Sequence, residues 1–276
     1  MNRAVQPVLT LGLACALSAP AAAQSTWLDR EHRPSVLTEI YFPRLEGADR
    51  NFPTWTWFAA GRFPIGRTSA LVLELPYTRG EYEHVDLPAQ SAIGNPYIGI
   101  EVAPHASGAR FEAGFRPPVM TEDFGVAAAT GAFTDIEREE AFVPNLWVIR
   151  VAVHAHHAAS ATSPIAWDIR FAPAAWFTSS NRYGSGDDNE FIFGYGGWLR
   201  YEARDARVGA GVGGWWNATN GGGDFGSTSV HQLDFAADFL HGTVRPGVQL
   251  KVPLDHDLAD TVDPAFGVSV MILPGR

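Results

Sequence analysis

Cysteine is all but missing from this 276-residue chain, whose single example is Cys15. It falls inside MNRAVQPVLTLGLACALSAPAAAQ, which carries a cation at Arg3, an apolar stretch from about Val8 to Leu17, and Ala21-Ala22-Ala23 before Gln24. That order of charge, apolar stretch and small residues reads as a signal peptide over 1-23, leaving 24-276 as one domain. A mature chain without cysteine has no disulfide framework and no thiolate nucleophile or metal site. No apolar run of about 18 residues follows, so no helix is expected to cross a membrane. Basic residues are scarce as well, 20 against 30 acidic; losing Arg3 leaves 19 against 30, a formal charge of −11. That deficit excludes the basic footprint a nucleic-acid partner needs. No P-loop, dinucleotide fingerprint or zinc-protease motif is present, and no cofactor is expected.

What the chain does have is alternation. From about residue 35 to residue 272, twelve segments place apolar and polar residues on opposite faces: 35–43, 53–63, 68–78, 91–103, 108–117, 145–156, 164–178, 188–202, 206–217, 228–240, 243–254 and 262–273. In TVRPGVQLKVPL, Val244, Pro246, Val248, Leu250, Val252 and Leu254 share one face, while Arg245, Gln249 and Lys251 share the other. A strand with lipid on one side and a lumen on the other must read this way. The connectors alternate too: tight ones such as PIGRT and EARDA, long ones such as TRGEYEHVDLPAQ and SSNRYGSGDDN. Short periplasmic turns, long extracellular loops and an even strand number predict an all-β transmembrane antiparallel barrel of about 12 strands in the cell outer membrane, a monomer whose partners are membrane lipids, a small solute and, during biogenesis, the barrel-assembly machinery.

The same phase turns charge inward. Arg62, Arg110, Arg116, Arg150, Arg170, Arg200, Arg207, Arg245 and Lys251 face Glu39, Glu74, Glu101, Glu112, Asp168, Glu190, Glu202, Asp234 and Asp238. From these, Arg62, Glu74, Glu101, Arg110, Glu112, Arg116, Arg150, Asp168, Arg170, Arg200, Arg245 and Lys251 are the candidate pore-lining or solute-binding residues. Such a lumen either holds a transverse field that selects small polar solutes or zips its own charges into ladders that plug the bore. About eight strands leave an interior filled by side chains and 16 to 18 leave an aqueous channel, so twelve falls between. The fifth connector, Pro117 to Pro144, is the longest. Its TDIEREEAF stretch could start a helix, with Thr134 and Glu137 as a capping box. It either dips into the lumen or lies over the outer rim, and an acidic loop beside a basic wall is expected to fold inward.

Two constellations invite a chemical reading. Ser229 and His231 lie two apart on the lipid-facing side near the outer rim, as in a histidine-activated serine; rim polarity is the plainer account. His154 and His156 point inward together but have no identifiable third metal ligand, so neither a metal site nor catalytic residues are assigned. SAIGNPYIGIEV, FTDIEREEAFVPN and TVRPGVQLKVPLD with DPAFGVSVMI resemble bacterial outer-membrane barrels related to the phenol-degradation meta-pathway proteins. That resemblance implies transport of a small organic compound. The expectation is a channel or transporter and not an enzyme, the alternatives being an outer-membrane lipid-modifying enzyme or a closed structural or surface-binding barrel.

Overall fold

The computed structural model describes residues 34–45, 54–81, 88–103, 108–160, 162–178, 189–219 and 225–274; the expected signal peptide lies outside them. Thirteen strands are drawn from these residues: β1 (Ser35–Leu45), β2 (Trp55–Pro64), β3 (Ser69–Gly80), β4 (Gln90–Ile93), β5 (Tyr97–Val102), β6 (Gly108–Arg116), β7 (Leu146–His157), β8 (Ile165–Thr178), β9 (Asn189–Glu202), β10 (Ala206–Asn217), β11 (Ser229–Phe239), β12 (Val244–Pro253) and β13 (Val262–Ile272). Successive strands pair antiparallel except β4 and β5, which both pair with β3; β1 also pairs with β13, so the sheet closes. Closure removes the free sheet edge, which a bilayer demands because it offers backbone groups no water.

β4 and β5 occupy one position in the wall, since β3 pairs first with one and then with the other; the barrel is therefore twelve-stranded. The expected strand 91–103 is thus interrupted at Gly94-Asn95-Pro96. Pro96 has no N–H to give to a ladder. The amide of Asn95 instead leaves the wall and donates to the carbonyl of Ala141 at 2.6 Å. The other predicted segments fall within two residues of the observed strands.

Facing follows the alternation. Val248 is 46% exposed, Ile169 57% and Leu199 58%, all on the outer surface, while Glu101, Arg116 and Glu39 on the inner surface are 1% exposed. An apolar exterior around a charged interior is the inverse of a soluble sandwich, and it fits a bilayer with lipid outside. Tight turns sit at one end; between β11 and β12, Gly242 takes a φ of 79°, a left-handed value that a side chain would strain.

The fifth connector does not lie over the rim. It enters the bore as a plug made of a 3-10 turn (Glu122–Phe124), helix α1 (Gly125–Thr134) and a 3-10 stretch (Ile136–Ala141). α1 packs against β1, β2, β3 and β4, and the 3-10 stretch reaches β10 and β11, so the plug crosses from one wall to the other. The helix precedes the place where the sequence pattern put it. Thr134 ends α1, its hydroxyl donating to the Thr130 carbonyl at 2.6 Å. Asp135, not Thr134, caps the following turn by accepting from the Glu137 amide at 3.2 Å. Ala-rich VAAAT favours helix, whereas Arg138 breaks the helical geometry at φ −126° to reach its partners.

Candidate functional site

The plug is seated by one apolar patch and one network of charge. The apolar patch joins Ala127, Ala128, Ala141 and Phe142 of the plug to Tyr41, Phe58 and Ala92 of the wall, with Met120 alongside. At the entry to α1, the Gln90 side chain accepts from the Val126 amide at 2.8 Å, satisfying a helix N-terminal donor that would otherwise be orphaned.

Asn95 holds both ends of the plug at once. Its Nδ2 donates to the carbonyls of Glu140 at 3.1 Å and Val143 at 2.8 Å, and its Oδ1 accepts from the amides of Val119 at 2.8 Å and Met120 at 3.0 Å. That is the full capacity of an amide side chain, two donors and two lone pairs, spent on the connector. Asn95 is not among the residues that the alternation pattern marks. The available signal was the Asn-Pro dipeptide inside a supposed strand, which marks a break.

Arg138 is the centre of the charge network. Its guanidinium meets Glu39 at 2.8 Å, Glu74 at 3.3 Å and Asp135 at 2.6 Å. It also lies over the Phe58 ring, 3.6 Å from the centroid. Glu140 bridges two wall arginines, Arg116 Nε at 2.9 Å and Arg150 Nη2 at 3.0 Å, while Arg116 also reaches Glu74 at 2.6 Å. Glu137 faces Arg170 at 3.5 Å, and Lys251 lies between Asp135 at 3.3 Å and Asp234 at 3.2 Å. The connector lies outside the spanning strands, and its carboxyls divide by neighbourhood. Burial pushes Asp135 up, but Arg138 and Lys251 outweigh it and hold it at about 2. Burial and the adjacent Glu140 push Glu139 up to about 8, with only the Trp215 indole N–H at 3.2 Å opposing them. Glu137 is raised to about 7, chiefly by burial, with Arg170 pulling the other way.

The wall is shaped to receive this segment. A Cβ at Gly213 would collide with the Glu137 carboxylate. One at Gly80 would collide with the Thr130 hydroxyl and stand 3.1 Å from the Val126 carbonyl. Glycine weakens a strand and needs a reason to be there; close approach of the plug supplies it.

The remaining candidates lie deeper. Arg62 and Arg110 share Glu101, at 2.7 and 3.4 Å. Glu112 accepts from the Tyr97 hydroxyl at 2.5 Å, and Asp168 pairs with His154 at 3.2 Å. Arg200 and Arg245 are half-buried on the lumenal side. Of the further inward assignments, Glu190 is exposed at the end of β9. The structure therefore brings Glu74, Arg116, Arg150, Arg170 and Lys251 together around the plug, and keeps Arg62, Glu101, Arg110, Glu112 and Asp168 in separate groups. His154 and His156 diverge, the second bonding the Gly108 carbonyl at 2.8 Å and Arg110 at 3.3 Å.

Outside, Ser229 does not engage His231. Its hydroxyl donates to the Phe225 carbonyl at 2.5 Å. His231 is held between the Tyr195 hydroxyl at 2.7 Å and Asp255 at 3.0 Å, an arrangement no sequence spacing foretold.

No protein-family model matches this chain, and no curated protein matches it in sequence. Solved structures do match in fold. The COG4313 outer membrane channel from Pseudomonas putida F1 aligns at a TM-score of 0.52 with 12% identity, over 92% of this chain and 100% of that one. The NanC porin aligns at 0.54 with 6% identity, over 87% and 100%. LpxR from Salmonella typhimurium aligns at 0.53 with 10% identity, over 87% and 100%. The fold is that of an outer-membrane β-barrel, in keeping with a place in the cell outer membrane. The expectation that the chain is not an enzyme is corrected here: LpxR is an outer-membrane enzyme, and this barrel resembles it as closely as it resembles the channels. Barrel architecture does not separate the two classes.

Proposed function

We propose that this protein is a gated outer-membrane channel for a small solute, and that the arrangement described above is its closed state. The observation that carries the reading is the plug: a segment attached at the extracellular end crosses the bore and is held there by paired charges that the wall supplies. Two of the similar folds are a channel and a porin, and the resemblance of FTDIEREEAFVPN and its companion stretches to meta-pathway barrels supports an organic solute. A barrel of twelve strands has the width for a narrow passage once the segment is withdrawn.

Planar bilayers test this. The wild type is expected to be silent or to open rarely, and a variant lacking residues 122–140 to conduct steadily. Heat-modifiable migration on gels establishes that the deletion variant has folded. A folded deletion variant that carries no current makes the protein a closed barrel and ends the channel reading.

A further inference from the structure

Withdrawing the plug leaves particular wall cations exposed, and their identity points to the solute. Among the described residues, the ion pairs of Arg150 and Arg170 run to the plug alone, to Glu140 and Glu137. Arg150 is 5% exposed, and its Nε and Nη1 make no hydrogen bond among the described residues; nor does the Nε of Arg170. Arg116 keeps Glu74 on the wall but gives up Glu140. The plug thus presents two carboxylates to three wall guanidiniums: Glu140 gripped by Arg116 and Arg150 together, and Glu137 facing Arg170. Guanidinium forks match carboxylates geometrically, and buried ones left without an anion are costly.

We infer that the plug is an internal mimic of the solute, and that the open bore takes small organic anions carrying two carboxylates. This rests on the channel reading above. One carboxylate takes the place of Glu140 between Arg116 and Arg150, and the other takes the place of Glu137 at Arg170. Solute and plug compete for the same cations, so the dianion holds the bore open as well as passing through it. Of the wall carboxylates around the plug, Glu74 stays paired with Arg116 and Asp234 with Lys251, while Glu112 and Asp168 are engaged by Tyr97 and His154. Glu39 and Glu74 lose Arg138 when the plug leaves, whereas Arg150 and Arg170 lose their only ion-pair partners among the described residues, so the least compensated cations stand on β7 and β8.

The test uses the folded full barrel and its plug-deleted form. In a salt gradient the deletion variant is expected to reverse at the potential of an anion-selective pore. Succinate should block chloride current through it at about tenfold lower concentration than butyrate, with succinamide inert, since a second charge-assisted contact is gained. Arg150→Gln and Arg170→Gln in the deletion background should each bring succinate back to the butyrate value. In the wild type, succinate but not succinamide should raise the opening frequency. Steady conduction with no anion preference, or equal block by all three probes, overturns the inference and leaves the channel intact. Absence of conduction in the folded deletion variant removes both. Calorimetric titration of succinate into the detergent-solubilised deletion barrel gives a readout independent of current, and heat that survives in the two arginine variants would also refute the site.

Discussion

Replacing Arg138 by methionine keeps the length and apolar stem of the side chain and removes its charge. Of the three carboxylates it meets, Glu74 then keeps Arg116 and Asp135 keeps Lys251, while Glu39 loses its ion pair among the described residues. Breaking a buried pair by removing one partner typically costs about 3–5 kcal/mol, because the charge left behind is neither solvated nor paired. The cation over the Phe58 ring is lost as well, worth about 0.5–2 kcal/mol. The wall does not share this loss, since its ladder hydrogen bonds belong to the backbone. At about 1.4 kcal/mol for each tenfold, loss of the pair alone should lower the ratio of seated to withdrawn plug by roughly two to three and a half orders of magnitude.

The scarcity of cysteine makes this measurable. With Cys15 replaced by serine, Ala128→Cys is a unique thiol on the buried face of α1, 8% exposed in the parent residue. Where opening and closing outpace the labelling reaction, the rate follows the withdrawn population. Maleimide labelling in vesicles should therefore be slow in the parent and faster by about 100-fold or more in Arg138→Met. Equal labelling rates in two folded barrels would refute the claim that the Arg138 network seats the plug.

Three further outcomes are expected. Asn95→Leu removes four hydrogen bonds to the connector, at about 1–3 kcal/mol for each buried group left unpaired; labelling at Ala128→Cys should rise as it does in Arg138→Met, with Asn95→Asp intermediate because only its donors are lost. Glu139 sits at about 8 when the plug is seated, above an ordinary carboxyl, so its protonated form favours seating: the contribution is fully present below about 4.5 and is lost as pH rises through 8. Single-channel open probability should accordingly increase between mildly acidic and alkaline pH, and Glu139→Gln should flatten that rise. Val248→Arg puts a charge on the lipid-facing surface and should cost about 2–4 kcal/mol near the midplane in folding titrations with lipid vesicles, whereas Val248→Ile should cost almost nothing.

The barrel was readable because its constraint is local. Period-two alternation in stretches such as Val244 to Leu254 is forced by lipid on one side, and a register slip of one residue would have turned every side chain over. The interruption at Asn95 escaped that logic, because the residue serves a segment more than twenty positions further along the chain. The position of α1 escaped it for another reason. A capping-box pattern at Thr134 and Glu137 describes a helix start in isolation, but in the bore Asp135 is drawn to Arg138 and Lys251, and the turn tightens around them. His231 met Tyr195 and Asp255 through neighbouring strands and a loop, contacts that spacing along one chain segment does not encode.

Charge counting shows the same boundary between local and non-local information. Nine cations against nine carboxylates along the strands suggested a wall neutral in itself. Around the plug the structure sets four wall cations, Arg116, Arg150, Arg170 and Lys251, against three wall carboxylates, Glu39, Glu74 and Asp234, an excess of one positive. The plug adds Asp135, Glu137, Glu139 and Glu140 against Arg138, three negative, so the assembled site would carry two surplus negative charges with every carboxyl ionised. A buried site of low polarity does not tolerate that surplus; it protonates its weakest acids instead. The two carboxyls raised to about 7 and about 8 are Glu137 and Glu139, and protonating both brings the sum to zero. Neutrality is thus reached only when wall, plug and protons are counted together. In mildly acidic solution the seated state thus holds more protons than the withdrawn one, and as pH rises past about 7 Glu137 ionises against Arg170, which ties closure of the bore to pH.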